Sequence, residues 1–261
     1  MGARVVLFTS IKGGSGKSTV CSNLANALAV RGKKTLLISL DKYNTSLDLI
    51  FGCESLLFDV SDFPGKDLSE ICIDADGRGL IFLCVSMPYS EGNVNVSEIL
   101  NRAKADDFDF VFIDKGYTSP NEAVELAGMA DKVIITSTQA DDSLRAAELL
   151  GCILYENGIP EEKLSLVLNS FYTDVMSVGY FKGIASIINE TKLPLLGIIP
   201  FSDEICASQT LAKSNKDGNA GSAFSNLAGR ILGEDIKILD FLPQKNRRII
   251  LNNECSSGNR I

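Results

Sequence analysis

Short apolar runs rich in β-branched residues recur along the chain, and between them apolar positions return every three or four residues. The first run, Val5-Val6-Leu7-Phe8, leads through a glycine-rich stretch into Val20, Leu24, Leu28 and Val30 near one helical face, and Arg31-Gly32 supplies a stop signal. The pattern therefore predicts a strand, a loop and a helix from about Lys17 to Ala29. Further strands are expected at Thr35–Ile38, Leu80–Cys84, Phe110–Ile113, Val133–Thr136, Leu164–Leu168 and Leu196–Ile199. Helices are expected near 95–105, 119–129, 141–156, 178–189, 203–213 and 220–233. Strands that are apolar throughout have no side to show to water. Alternating with helices, they predict an α/β fold: a mostly parallel sheet of about seven or eight strands with helices on both faces.

Two stretches depart from this rhythm. Residues 52–78 are less regular, and Ser61-Asp62-Phe63-Pro64-Gly65 reads as a surface connection. After Glu234 the pattern ends: Ile236 to Leu242 is apolar but is cut by Pro243, and Lys245-Asn246-Arg247-Arg248 precedes the triplet Ile249-Ile250-Leu251. The reading is one domain over residues 1–235 and a C-terminal tail over 236–261.

Composition narrows the chemistry. The 261 residues carry a formal net charge of −8, which disfavours a general nucleic-acid-binding surface. No histidine is present, so histidine-dependent nucleophilic triads, histidine acid–base catalysis and His-containing zinc sites are excluded. The seven cysteines form no C-x-x-C pair and read as reduced, mostly buried thiols of a cytoplasmic protein. No apolar run reaches the ~18 residues of a membrane helix, and the N-terminal run is too short for a secretory signal.

The stretch Lys12-Gly13-Gly14-Ser15-Gly16-Lys17-Ser18-Thr19 carries the strongest signal. The pattern G-x-x-x-x-G-K-[ST] fails only at its first position, where Ile11 stands instead of glycine. Gly13, Gly14 and Gly16 allow successive backbone N–H groups to converge on phosphate oxygens. Lys17 lies within reach of β- and γ-phosphates, Ser18 offers a hydroxyl to Mg²⁺, and the helix N-terminus adds positive potential. Asp114 ends a buried strand and Asp41 follows another, at the sheet end where such folds bind ligands. One of these carboxylates would hold a Mg²⁺-bound water and the other would orient an attacking water.

With these residues the chain resembles the MinD/ParA family of P-loop ATPases, and its MinD branch most closely. The extra lysine, Lys12, is similar to the hallmark of that family's variant phosphate loop. Ser46–Gly52, Leu57–Asp62, Phe108–Asp114, Leu195–Pro200 and Ala228–Glu234 resemble further family segments, so the likeness covers about residues 3–235. It implies a slow ATPase that binds ATP and Mg²⁺ and forms a homodimer across the nucleotides. Lys12 would reach the partner's phosphates, and Lys17 and Asp41 would serve hydrolysis. Ser18, Asp41 and Asp114 would serve the metal. Gly13, Gly14, Ser15, Gly16, Lys17, Ser18, Thr19 and Pro200 would contact nucleotide, and Asn169 would read adenine.

The implied role is a positioning switch, in cell-division site selection or a flagellar or pilus relative, with a partner of the MinC or MinE type. A membrane contact through the tail would place it peripherally at the inner face of the cell membrane. Three departures bear on this. Ser39 replaces the first aspartate of the family's Asp-x-Asp, Lys115-Gly116-Tyr117 replaces a proline-containing switch, and Leu144-Arg145-Ala146-Ala147-Glu148 lacks the usual aspartates. They point to an alternative, a nucleotide-binding scaffold with little hydrolysis. Metal-cluster carriers of the superfamily would need paired cysteines, and polysaccharide tyrosine kinases a C-terminal tyrosine cluster, whereas no tyrosine follows Tyr180.

Overall fold

The computed structural model describes residues 2–41, 47–53, 59–63, 65–86, 94–117, 119–173, 182–208, 218–240, 242 and 250. Eight strands form one sheet: β1 (Arg4–Thr9), β2 (Thr35–Ser39), β3 (Ile73–Asp74), β4 (Ile81–Val85), β5 (Phe110–Asp114), β6 (Lys132–Ser137), β7 (Leu164–Phe171) and β8 (Leu195–Pro200). Their spatial order is β3-β4-β2-β5-β1-β6-β7-β8. Every pairing is parallel except β3 with β4. The expected α/β architecture is therefore present, and the strands read from apolar runs lie within a residue or a few of their expected ends.

The helices are α1 (Lys17–Val30), α2 (Leu47–Phe51), α3 (Leu68–Ile71), α4 (Val96–Ala105), α5 (Pro120–Met129), α6 (Asp141–Glu156), α7 (Ile184–Thr191), α8 (Asp203–Ser208) and α9 (Asn219–Ile231). Strand alternation divides the core. Val5, Leu7, Leu36, Ile38, Val111 and Ile113 face the layer of α3 to α7. Val6, Phe8, Leu37, Phe110 and Phe112 face the layer of α1, α2, α8 and α9. Both sheet faces are thus dry, which is why these strands lack a polar alternation.

The structure differs from expectation mainly in the irregular stretch. There Asp59 caps a short 3₁₀ turn, Val60–Asp62, and its side chain accepts the Ser61 N–H. Phe63 is buried against the core, so this connection is anchored and not merely superficial. α7 begins at Ile184, and the earlier part of its expected span, 178–181, lies outside the described residues, as does 209–213 beyond α8.

Beyond α9 the chain is stapled back. Arg230 donates to the carbonyls of Ile236 at 2.8 Å, Lys237 at 2.6 Å and Leu196 at 3.1 Å. Leu239, Leu242 and Ile250 are all buried in the core on the α3-to-α7 side.

Candidate functional site

The site sits at the carboxyl ends of β1, β2, β5 and β7. Parallel pairing brings Phe8 of β1 and Ser39 of β2 level with Asp114 of β5, so the loops after β1 and β2 leave the sheet beside the Asp114 carboxylate. A cavity of about 810 Å³ opens there, lined by the loop from Ser10 to Thr19 together with Asp41, Gly116, Tyr117, Asn169, Ser170, Ile205 and Cys206.

The loop has the backbone that its glycines permit. Gly14 and Gly16 lie at φ 78° and 82°, the left-handed region. Gly16 is the N-cap of α1, no side chain caps that end, and no acidic residue stands in the first turn. The helix therefore presents N–H groups without a side-chain cap, which suits an anion. Ser15 holds the loop from beneath: its hydroxyl lies 2.9 Å from Ser10 Oγ and 3.0 Å from Thr136 Oγ1, in a buried chain linking β1 and β6. The Asn169 side-chain amide donates to the Ser15 carbonyl at 3.2 Å.

Lys17 lies between two carboxylates, 2.6 Å from Asp114 Oδ1 and 2.9 Å from Asp41 Oδ2. Burial lowers its pKa, but the two carboxylates outweigh burial and the net shift is upward. Asp114 is almost wholly buried, and burial raises its pKa against the opposing effects of Lys17 and of a hydrogen bond from Ser18. One ammonium thus answers two carboxyl groups, leaving an uneven charge balance beside hard oxygen donors. Such a set suits a small divalent cation bound chiefly through water and phosphate.

Lys115 and Gly116, which follow β5, have defined places in this geometry. The Gly116 N–H donates to both Asp41 oxygens, at 2.9 and 3.0 Å. A Cβ at Gly116 would come within 3.3 Å of Asp41 Oδ2, so the close approach uses the absence of a side chain. Lys115 turns to the Leu40 carbonyl at 3.3 Å and to Glu122 at 3.2 Å. Asp41 is consequently held from two sides, by Lys17 and by the Gly116 backbone.

The remaining expected residues are placed less uniformly. Lys12 ion-pairs with Asp142 in the first turn of α6, and both side chains are exposed. That hydrogen bond is the leading cause lowering the Asp142 pKa. Thr19 lines the cavity, whereas Pro200 ends β8 opposite Phe171 and is not part of the cavity wall. Asn169 lies inside β7, not at a strand end as its apolar run suggested, because β7 continues to Phe171. Ser10, Thr136 and Asp142 were not singled out from the sequence, and Gly116 was noted only as a departure, not as a partner of Asp41. The available signal was polar residues closing otherwise apolar strands, for Ser10 and Thr136 at least.

An uncapped glycine loop at a helix N-terminus, a buried lysine and two carboxylates at the strand ends define the class: a P-loop nucleotide-binding α/β protein. A family model, the CobQ/CobB/MinD/ParA nucleotide binding domain, matches residues 6–213, and the chain belongs to that family. The septum site-determining protein MinD of Helicobacter pylori is 31% identical over 255 residues, covering 92% of this chain and 94% of that protein. MinD of Synechocystis is 28% identical over 253 residues, covering 93% and 94% respectively. Among solved structures, the MinD cell division protein of Aquifex aeolicus superposes with a TM-score of 0.76 at 25% identity, covering 90% of this chain and 99% of that one.

Proposed function

We propose that this protein is a MinD-like switch that binds Mg-ATP, dimerises and hydrolyses ATP slowly to position other proteins at the division site. The observation that carries this reading is the near full-length likeness to septum site-determining proteins, joined to a cavity formed by the phosphate loop, Asp41 and Asn169. A related structure, described as a MinC:MinD cell division protein complex, makes a MinC-type partner the natural candidate.

In this reading Gly13, Gly14, Ser15, Gly16, Ser18 and Thr19 surround the phosphates, and Lys17 leaves the carboxylates to pair with them. Ser18 would ligate Mg²⁺ directly, with Asp114 and Asp41 holding its waters; the metal would neutralise phosphate charge. Asp41, fixed by the Gly116 N–H, orients the attacking water. Asn169 supports the loop and forms the wall toward the base. Lys12 exchanges Asp142 for the partner subunit's phosphates, an exchange made easy because solvent screens an exposed ion pair. Lys12→Ala is expected to abolish the ATP-dependent dimer in size-exclusion chromatography and to lower phosphate release at least about tenfold. An unchanged dimer would remove the role in trans. Peripheral membrane contact through the tail, on a cytoplasmic protein, would require Ile250 to leave its buried position.

A second reading, a nucleotide-binding scaffold with little hydrolysis, is favoured by Ser39. Its hydroxyl is buried at the end of β2 and has no hydrogen-bond partner among the described residues, at a position where the family resemblance implies a carboxylate. Phosphate release decides between the two. The switch reading expects Asp41→Ala to fall about a hundredfold below wild type. Equal background rates for both would establish the scaffold.

A further inference from the structure

The antiparallel edge of the sheet holds a pair of thiols unrelated to the nucleotide cavity. Ile73 faces Leu83 and Asp74 faces Phe82, so the next rung sets Cys72 opposite Cys84. The Ala75 N–H donates to the Ile81 carbonyl at 2.8 Å, marking that rung as hydrogen-bonded. Rungs alternate in an antiparallel ladder, so Ile73/Leu83 is again of that kind and Cys72/Cys84 is not. The Cys72 N–H agrees, since it donates to Leu68 at 2.9 Å instead of across the ladder. Residues opposed at such a rung have Cα atoms about 4.5 Å apart, with side chains close together. Disulfides span Cα separations of about 4.4–6.8 Å.

The two thiols are in side-chain contact, and that contact, with burial, pushes the Cys84 thiol well above its ordinary pKa. Cys84 is buried, whereas Cys72 is part-exposed at the end of α3 in extended backbone. The pair is therefore asymmetric: one sulfur is open to a reagent and the other waits behind it.

We propose that Cys72 and Cys84 are a redox modification site, forming a reversible cross-strand disulfide with a small-molecule disulfide of the glutathione class. The Cys72 thiolate attacks one sulfur of the oxidant, whose S–S bond breaks and releases one thiol. Cys84 then gives up its proton to solvent and attacks the Cys72 sulfur, expelling the second thiol. Two protein thiols are oxidised and one disulfide is reduced to two thiols, so electrons and protons balance. The bond ties β3 to β4, which pairs directly with β2, the strand leading to Asp41. It closes a short loop and is expected to raise the unfolding midpoint by about 5 °C.

The test uses the full chain in native buffer, titrated with mixtures of oxidised and reduced glutathione and then quenched with acid. Intact mass and peptide mapping are expected to show loss of two hydrogens and a linked Cys72–Cys84 peptide, reversed by dithiothreitol. Cys84→Ala is expected instead to trap glutathione on Cys72, while Cys72→Ser takes up none at Cys84. The proposal fails if the linked peptide forms only in urea. It fails equally if wild-type Cys72 stays reduced or accumulates glutathione at every ratio.

Discussion

Replacing Lys17 with alanine is expected to weaken ATP binding at least a hundredfold, measured by equilibrium titration with a fluorescent ATP analogue. The loss corresponds to two charge-assisted hydrogen bonds to phosphate at roughly 1.5–3 kcal/mol each, with 1.4 kcal/mol per tenfold. A second effect falls on the nucleotide-free protein. Lys17 lies 2.6 and 2.9 Å from two carboxylates and is itself nearly buried, so its removal leaves Asp114 without its cation. Losing one member of such a buried pair costs about 3–5 kcal/mol.

That cost should depend on pH in a specific direction. Burial already raises the Asp114 pKa above the ordinary 3.8, and Lys17 is the largest opposing influence. Without Lys17 the folded-state pKa rises further. A carboxyl group whose pKa is higher in the folded state favours folding below the unfolded value and loses that contribution as pH rises through the folded value. Lys17→Ala should therefore recover midpoint temperature relative to wild type as pH falls from neutrality toward about 4. Parallel pH profiles for the two proteins would contradict this account of the site, and unaltered ATP affinity would contradict the proposed function.

Gly16→Ala should be nearly as severe, for reasons of shape. Gly16 lies at φ 82°, and a Cβ there would sit 1.9 Å from Asn169 Nδ2. Left-handed backbone costs an ordinary residue about 1–2 kcal/mol, and the displaced Asn169 amide would also lose its bond to Ser15. A destabilisation of about 2–4 kcal/mol and loss of detectable ATP binding are expected. Pairing it with Asn169→Ala separates the causes. The double variant should regain the part of the stability due to the clash, while the backbone strain persists. If Gly16→Ala binds ATP within threefold of wild type, the loop is not the phosphate site.

Much of this was legible in the sequence because the signals were local. Val5 to Phe8 and Phe110 to Ile113 announce buried parallel strands by having no polar alternation, and Gly13 to Ser18 carry their chemistry within a few residues. What was not legible depends on distant pairing. β3 has only the residues Ile73 and Asp74, too few for any period, and exists because Ile73 meets Leu83. α2 and α3 are likewise too short to show helical spacing. Within the site, nothing near Gly116 in sequence says that its N–H meets Asp41, since all of β3, β4 and β5 lie between the two. Asn169 was singled out, but the carbonyl it bonds, on Ser15, becomes visible only once β7 is placed in the sheet.

The burial of Leu239, Leu242 and Ile250 bears on how the protein should be handled. A chain cut after residue 235 would lack all three apolar plugs and leave greasy hollows over α3 to α7, so its aggregation or altered sedimentation would say little about lipids. A sounder comparison keeps the full length and changes the neighbouring arginines Arg247 and Arg248 to glutamine, preserving the plugs.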